Sequence, residues 1–344
     1  MTTDDYLWDR TGAPDEVIVQ LERALARRRF DPAAQPMPRV SDERCASPPR
    51  AARVLHPRVV TYAAAASLAL ALVGGLGVWG YLWRLTWAAD RPWPVVTPSG
   101  QMSWLAVGTS LSSPVAGSAE VAVARIGRMT VHPASDVMLE ATSSSRHVVR
   151  LARGGVSVRV FAPPGRFRLQ TPAGLVTDLG CVFEATVDAS ARTRVRVRSG
   201  WVELENVHGA VLVPAGATSD MAPDRPPSTP VFDDADPAFA AAVRHVEQGA
   251  STSAAAGLST ARVGDVASLL VLARRLEGDD RARVIAQAAR LHAPPPGVTA
   301  QAVSAGDDAA LWRWFDALPL PPPKQWWRNW RDAWSSDPRA PSAP

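Results

Sequence analysis

Residues 167–185 read Phe-Arg-Leu-Gln-Thr-Pro-Ala-Gly-Leu-Val-Thr-Asp-Leu-Gly-Cys-Val-Phe-Glu-Ala. Phe167-Arg-Leu169 alternates apolar and polar, Pro172 and Gly174 break the run, and an apolar segment then reaches Asp178 before Gly180 marks a second turn. These spacings suit short strands and are too interrupted for a helix. The same alternation occurs at Val156-Ser-Val-Arg-Val160 and Arg194-Val-Arg-Val-Arg198, within a Val- and Gly-rich stretch punctuated by turn residues. Residues 94–220 are therefore expected to form an all-β sandwich or β-roll rather than a nucleotide-binding α/β sheet.

Upstream, Val59 to Trp83 carries no charge and is bounded by Arg58 and Arg84. Its length exceeds the roughly 30 Å hydrocarbon core of a bilayer at about 1.5 Å per residue, which predicts one transmembrane helix over 59–83. Trp79, Tyr81, Trp83 and Trp87 would sit at one membrane interface. Arg39, Arg44, Arg50, Arg53 and Arg58 precede the span, against Arg84 and Arg91 after it. That bias predicts an uncleaved signal anchor in a bacterial inner membrane, with the N-terminus cytoplasmic and the C-terminal region periplasmic. Gly75-Leu-Gly77-Val-Trp-Gly80 formally matches a dinucleotide fingerprint, but it lies inside this apolar run and is expected to be no more than small residues of a helix.

Residues 1–38 contain a helical signal, with Pro14, Asp15 and Glu16 at its start and Arg27 to Arg29 at its end. Val17, Leu21 and Leu25, with Ile18 nearby, supply an apolar stripe that needs a partner, because about 15 residues of helix alone are marginal in water, and Trp8 precedes the helix as a further contact for that partner. Residues 39–58 read as a Pro/Arg-rich tether and 221–235 as a linker. Over 236–318, caps at Asp236-Pro237 and Asp307-Asp308 and apolar positions at helical spacing predict a small α-helical bundle. Residues 319–344 form a Pro/Trp-rich tail, in which Trp326, Trp327, Trp330 and Trp334 alternate with Lys324, Arg328 and Arg331 and suit a lipid interface, the cover of a bundle or a protein partner. The expected fold class is thus mixed and multi-domain: a short cytoplasmic helix, one transmembrane helix, an all-β sandwich or roll, and a C-terminal helical bundle.

The chain has 344 residues, a net charge of +4 and a single lysine, Lys324, among 37 basic residues. No dense basic stripe accompanies that charge, so no direct contact with nucleic acid is expected. Cys45 and Cys181 cannot supply a disulfide framework or a four-ligand zinc site, and six scattered histidines show no ligand spacing. No catalytic residue, cofactor or metal is expected, and the chain is not read as an enzyme. Asp178 and Glu184 flank the Leu-Gly turn and are read as a turn residue and a solvated strand residue. Cys181 is read as a small buried apolar side chain.

The β segment resembles the FecR domain. Phe167, Thr171, Pro172, Gly174, Asp178, Leu179, Gly180 and Phe183 stand where that family has an aromatic-led strand, Thr-Pro-x-Gly, and an apolar-x-Asp-Leu-Gly-Thr-x-Phe segment. Cys181 replaces the usual Thr. Leu151–Val158 is similar to the family's preceding hairpin, Val195–Leu204 to its strand, turn at Gly200 and strand, and Val211–Gly216 to its closing turn. The resemblance implies a single-span FecR-like regulator that transmits an envelope signal to a cytoplasmic extracytoplasmic-function sigma factor. Its implied partners are that sigma factor at Trp8, Val17, Leu21 and Leu25, an envelope or outer-membrane partner of the β domain, and membrane lipid. The family's cytoplasmic domain is usually a bundle of several helices, whereas only about 30 residues look structured here. The zinc-binding His-x3-Cys-x2-Cys pattern of related anti-sigma factors is missing, since Cys45 and His56 stand alone. The alternative is an envelope scaffold or binding protein with no sigma partner.

Overall fold

The computed structural model describes residues 57–320 apart from 116 and 254, with side chains from residue 71, together with Glu16 and Val19, both helical. It contains fifteen strands, β1–β15, between a helix over Pro57–Leu85 (α1) and five further helices. The protein is mostly a large β-sheet domain with a few helices, and this corrects the expected fold class. Among the described residues no helix is long and apolar enough to cross a membrane. This overturns the transmembrane helix expected over residues 59–83. Helix α1 carries Gly74, Gly75, Gly77 and Gly80 in its second half and ends on Arg84 and Leu85. The C-terminal end of α1 is also occupied by protein: Leu85 and Trp87 are buried in the β-domain core, and Arg84 Nε donates to the Arg125 carbonyl at 3.1 Å.

The strands form two leaves that share β7, His147–Val160. One leaf runs β2 (Met102–Leu105), β1 (Trp93–Val96), β4 (Ala119–Val123), β5 (Gly127–Val131), β7, β10 (Val182–Val187), β11 (Thr193–Ser199), β14 (Ala217–Met221) and β15 (Val231–Phe232), all antiparallel, and uses β7 from Gly154 onward. The other runs β3 (Ser110–Ser112), β6 (Asp136–Thr142), β7, β8 (Phe167–Thr171), β9 (Gly174–Asp178), β12 (Trp201–Asn206) and β13 (Gly209–Pro214) and uses the first half of β7, with β7 and β8 parallel. The handover is at Gly154, whose φ of 83° lies in the left-handed region. A Cβ there would stand 2.3 Å from Ser135 Oγ and 2.5 Å from Ser135 Cα. Ser135 Oγ in turn accepts the Gly155 N–H at 2.7 Å and donates to the Gly155 carbonyl at 3.1 Å. One serine thus bonds both backbone groups of Gly155 at the bend, and the carbonyl also accepts the His132 N–H at 2.9 Å.

Alternation along each strand makes the core between the leaves. Val156, Val158 and Val160, then Val195 and Val197, point inward from one leaf, while Leu151, Phe167, Leu169 and Val202 do so from the other. Phe167 and Phe183 meet across the gap with ring centroids 6.4 Å apart. Thr193 Oγ1 donates to Thr171 Oγ1 at 2.8 Å, also from leaf to leaf.

After β14 (Ala217–Met221), the stretch read as a linker is fastened to the domain. Val231–Phe232 (β15) pairs with β14, and Arg196 on β11 pairs with Asp233 at 2.7 Å. The helices follow as Pro237–Glu247 (α2), Val266–Ala273 (α3), Gly278–Leu291 (α4), Ala300–Ser304 (α5) and Asp308–Asp316 (α6). Asp236, Thr299 and Asp307 cap α2, α5 and α6 through their side chains. Helix α3 is buried on every side, and it forms the centre of this group.

Candidate functional site

The family-motif residues gather where the chain passes between leaves. Strand β8 is Phe167–Thr171 and β9 is Gly174–Asp178, paired as a hairpin that Thr171 Oγ1 closes by donating to the Gly174 carbonyl at 2.9 Å. Residues 179–181 then cross to β10, Val182–Val187, in the opposite leaf. The return crossing is at Gly200, between β11 (Thr193–Ser199) and β12 (Trp201–Asn206). The two crossings lie against each other. The Leu179 N–H donates to the Trp201 carbonyl at 3.1 Å, and a Cβ on Gly200, at φ 78°, would come within 2.4 Å of the Gly180 carbonyl oxygen. Only glycine fits at 200.

Asp178 stands at the centre with no solvent exposure. Its carboxyl folds back over the crossing and accepts the Cys181 N–H at 2.8 Å, the Gly180 N–H at 3.2 Å and the Cys181 thiol. Burial drives its pKa up, the thiol and the two amides pull it down, and the balance is raised to about 7. The crossing is thus braced by an acid that exchanges its proton near neutral pH. Glu184 does not join it: that carboxylate faces outward from β10 and pairs with Arg198 at 2.8 Å. Cys181 is fully buried beside Asp178.

A second buried polar chain has no counterpart in the sequence reading. Trp93 Nε1 donates to Thr142 Oγ1 at 3.0 Å, and the Thr142 hydroxyl lies 2.8 Å from His147 Nδ1. Burial, with a smaller contribution from the Arg166 charge, lowers the His147 pKa to about 4, so its imidazole is neutral at pH 7. His147 opens β7 in a continuous Val/Leu alternation, so a burial pattern was its only sequence signal.

The remaining predicted residues separate. Phe183 and Phe167 are core, Pro172 is exposed, Leu179 is half-buried, and Gly216 turns β13 into β14. Of the aromatic group on and after α1, Trp79 and Trp83 are exposed, Tyr81 packs on the core and Trp87 is buried. The Arg125 guanidinium lies 3.8 Å from the Trp83 ring centroid and its Nη1 donates to the Trp83 and Thr86 carbonyls at 3.0 and 3.1 Å. Gly75, Gly77 and Gly80 lie within α1, with open space where a Cβ would be. Trp8, Val17, Leu21, Leu25, Trp326, Trp327, Trp330 and Trp334 lie outside the described residues.

No family model matches the chain, and no curated protein matches it. Among solved structures it is similar to a candidate anti-sigma factor from Parabacteroides distasonis ATCC 8503, solved at 1.65 Å and again at 2.50 Å. Both comparisons give 16% identity over 34% of this chain, with a TM-score of 0.30. The chain spans about half the length of these structures, 56% and 55%.

Proposed function

We propose that the protein regulates an extracytoplasmic-function sigma factor, with the FecR-like β domain receiving a signal and residues 1–38 addressing the sigma factor through Trp8, Val17, Leu21 and Leu25. The observation that supports this reading is the structural consistency of the motif. Asp178, Gly180 and Gly200 serve the paired crossings between leaves, and Thr171 and Gly174 close the hairpin that leads into them, so the motif is a connected piece of architecture rather than a chance string. The reading contains no catalytic step.

The test is affinity capture of the tagged full-length chain from its native cells with mass spectrometry, beside a version lacking residues 1–38. A sigma factor captured by the first and lost from the second is the expected result. Envelope proteins alone in both captures would replace the proposal with the scaffold reading.

A further inference from the structure

On the flank away from the crossings, β11, β14 and the segment before α2 enclose a cleft of about 630 Å³ with one wall formed by α2 itself. Its chemistry is dominated by arginine. Thr193, Val195 and Val197 of β11 point into the core, so the intervening Arg194 and Arg196 point out into this space. Each already has a carboxylate: Arg194 binds Asp220 through two bonds of 2.8 and 3.1 Å, and Arg196 binds Asp233 at 2.7 Å. Deeper in, Arg275 holds Glu247 at 2.9 Å. These three pairs use every carboxylate that lines the cleft.

Three lining arginines remain. Arg225 approaches its neighbour Asp224 at 3.6 Å, while Arg192, just before β11, and Arg244, on α2, line the cleft outside every ion pair among the described residues. Arg192 and Arg244 are both exposed, so an anion that enters the cleft can reach them. The volume lies within the roughly 300–1,000 Å³ of small-molecule sites.

We propose that this cleft binds a small oxyanion carrying two or more negative charges, a polycarboxylate or a polyphosphate, held between Arg192 and Arg244. The guanidinium fork presents paired N–H donors to either type of group, and the surrounding ion pairs keep the neighbouring arginines from folding into the space. The inference is independent of the sigma-factor reading, because it rests on residues that the family motif does not include.

Isothermal titration of the full-length chain with citrate and, separately, with inorganic pyrophosphate at low salt tests it. Binding of at least one probe is expected, weakened at least tenfold in Arg192→Ala/Arg244→Ala and weakened by added sodium chloride. Arg290→Ala, outside the cleft, leaves it unchanged. Whichever probe binds tighter identifies the oxyanion class. Neither arginine stabilises a buried carboxylate, so the double variant is expected to fold, and Arg244→Gln alone with at least a threefold loss serves if it does not. Failure of both probes to bind, or binding that the arginine variants leave intact, would overturn the proposal.

Discussion

Asp178 and His147 are buried titratable groups with opposite pKa displacements, and each leaves a signature in stability against pH. Asp178 is raised to about 7 in the fold and titrates near 3.8 when unfolded, so between those values the folded state holds the extra proton. Its contribution is full below about pH 4 and is lost as pH rises towards 7, by at most about 1.4 kcal/mol per pH unit. His147 is lowered from 6.5 to about 4, so there the unfolded state holds the extra proton. Its contribution is full above pH 6.5 and is lost as pH falls to 4. Over pH 4–6.5 the two slopes oppose one another. Asp178→Asn removes the falling one, and urea titrations of the variant should show stability that rises with pH more steeply than in the unsubstituted protein. A curve parallel to the parent's would mean that Asp178 is ionised throughout. The residue type at 178 was legible from the motif, but its burial was not. A turn acid next to glycine usually faces water, and here the second crossing at Gly200 closes over it.

At the scale of elements, the Gly154-Gly155 pair shows where sequence reading stops. Two glycines between alternating segments look like a hairpin turn, yet they bend one strand as it passes from leaf to leaf. The difference lies in Ser135, distant in sequence, whose hydroxyl supplies the bonds that a turn would have made internally. Gly154→Ala meets both the left-handed backbone penalty of about 1–2 kcal/mol and the Ser135 backbone, so a loss of more than 2 kcal/mol is expected in denaturant titrations. Gly165→Ala, also at positive φ but with open space around it, should lose only the backbone part. Equal losses would show that Ser135 yields freely. Two-residue β15 was illegible for a related reason: it has no periodicity of its own, and its place is set by β14 and by Arg196 reaching Asp233. Conversely, the alternation at 156–160, 167–169 and 194–198 could be read directly, because one face of each strand is core. At the end of α1, Arg125→Ala removes the donor to the Trp83 and Thr86 carbonyls. The Thr86 amide, bonded to Leu82 and Trp83, should then exchange with deuterium faster while the β7 amides keep their protection. Unchanged exchange at Thr86 would assign the stability of that helix end to Leu85 and Trp87 instead.

At the scale of the molecule, the question is whether the C-terminal helices are a separate module or part of the β domain's core. The contacts favour one cooperative body. Trp201, at the start of β12, meets Phe315 of α6 edge-on with centroids 6.1 Å apart, and Phe315 is itself edge-on to Trp312 at 5.5 Å. Glu247 at the end of α2 accepts the Thr229 N–H from the segment before β15 and pairs with Arg275, which also donates to the Pro227 carbonyl. Arg262 ties the helical region back to Asp234 at 3.0 Å. The half-buried Glu247 carboxylate loses its compensation if these elements part, so separating them costs polar as well as apolar contacts. Phe315→Ala should therefore destabilise the β domain and the helices together, by about 3 kcal/mol, because the cavity opens at their shared face. Calorimetry should record one transition shifted to lower temperature, with tryptophan fluorescence and far-ultraviolet dichroism changing in step. A helical transition that moves while the β transition stays in place would make the helices an independent module, and the cleft between β14 and α2 would then be a joint able to open rather than a fixed site.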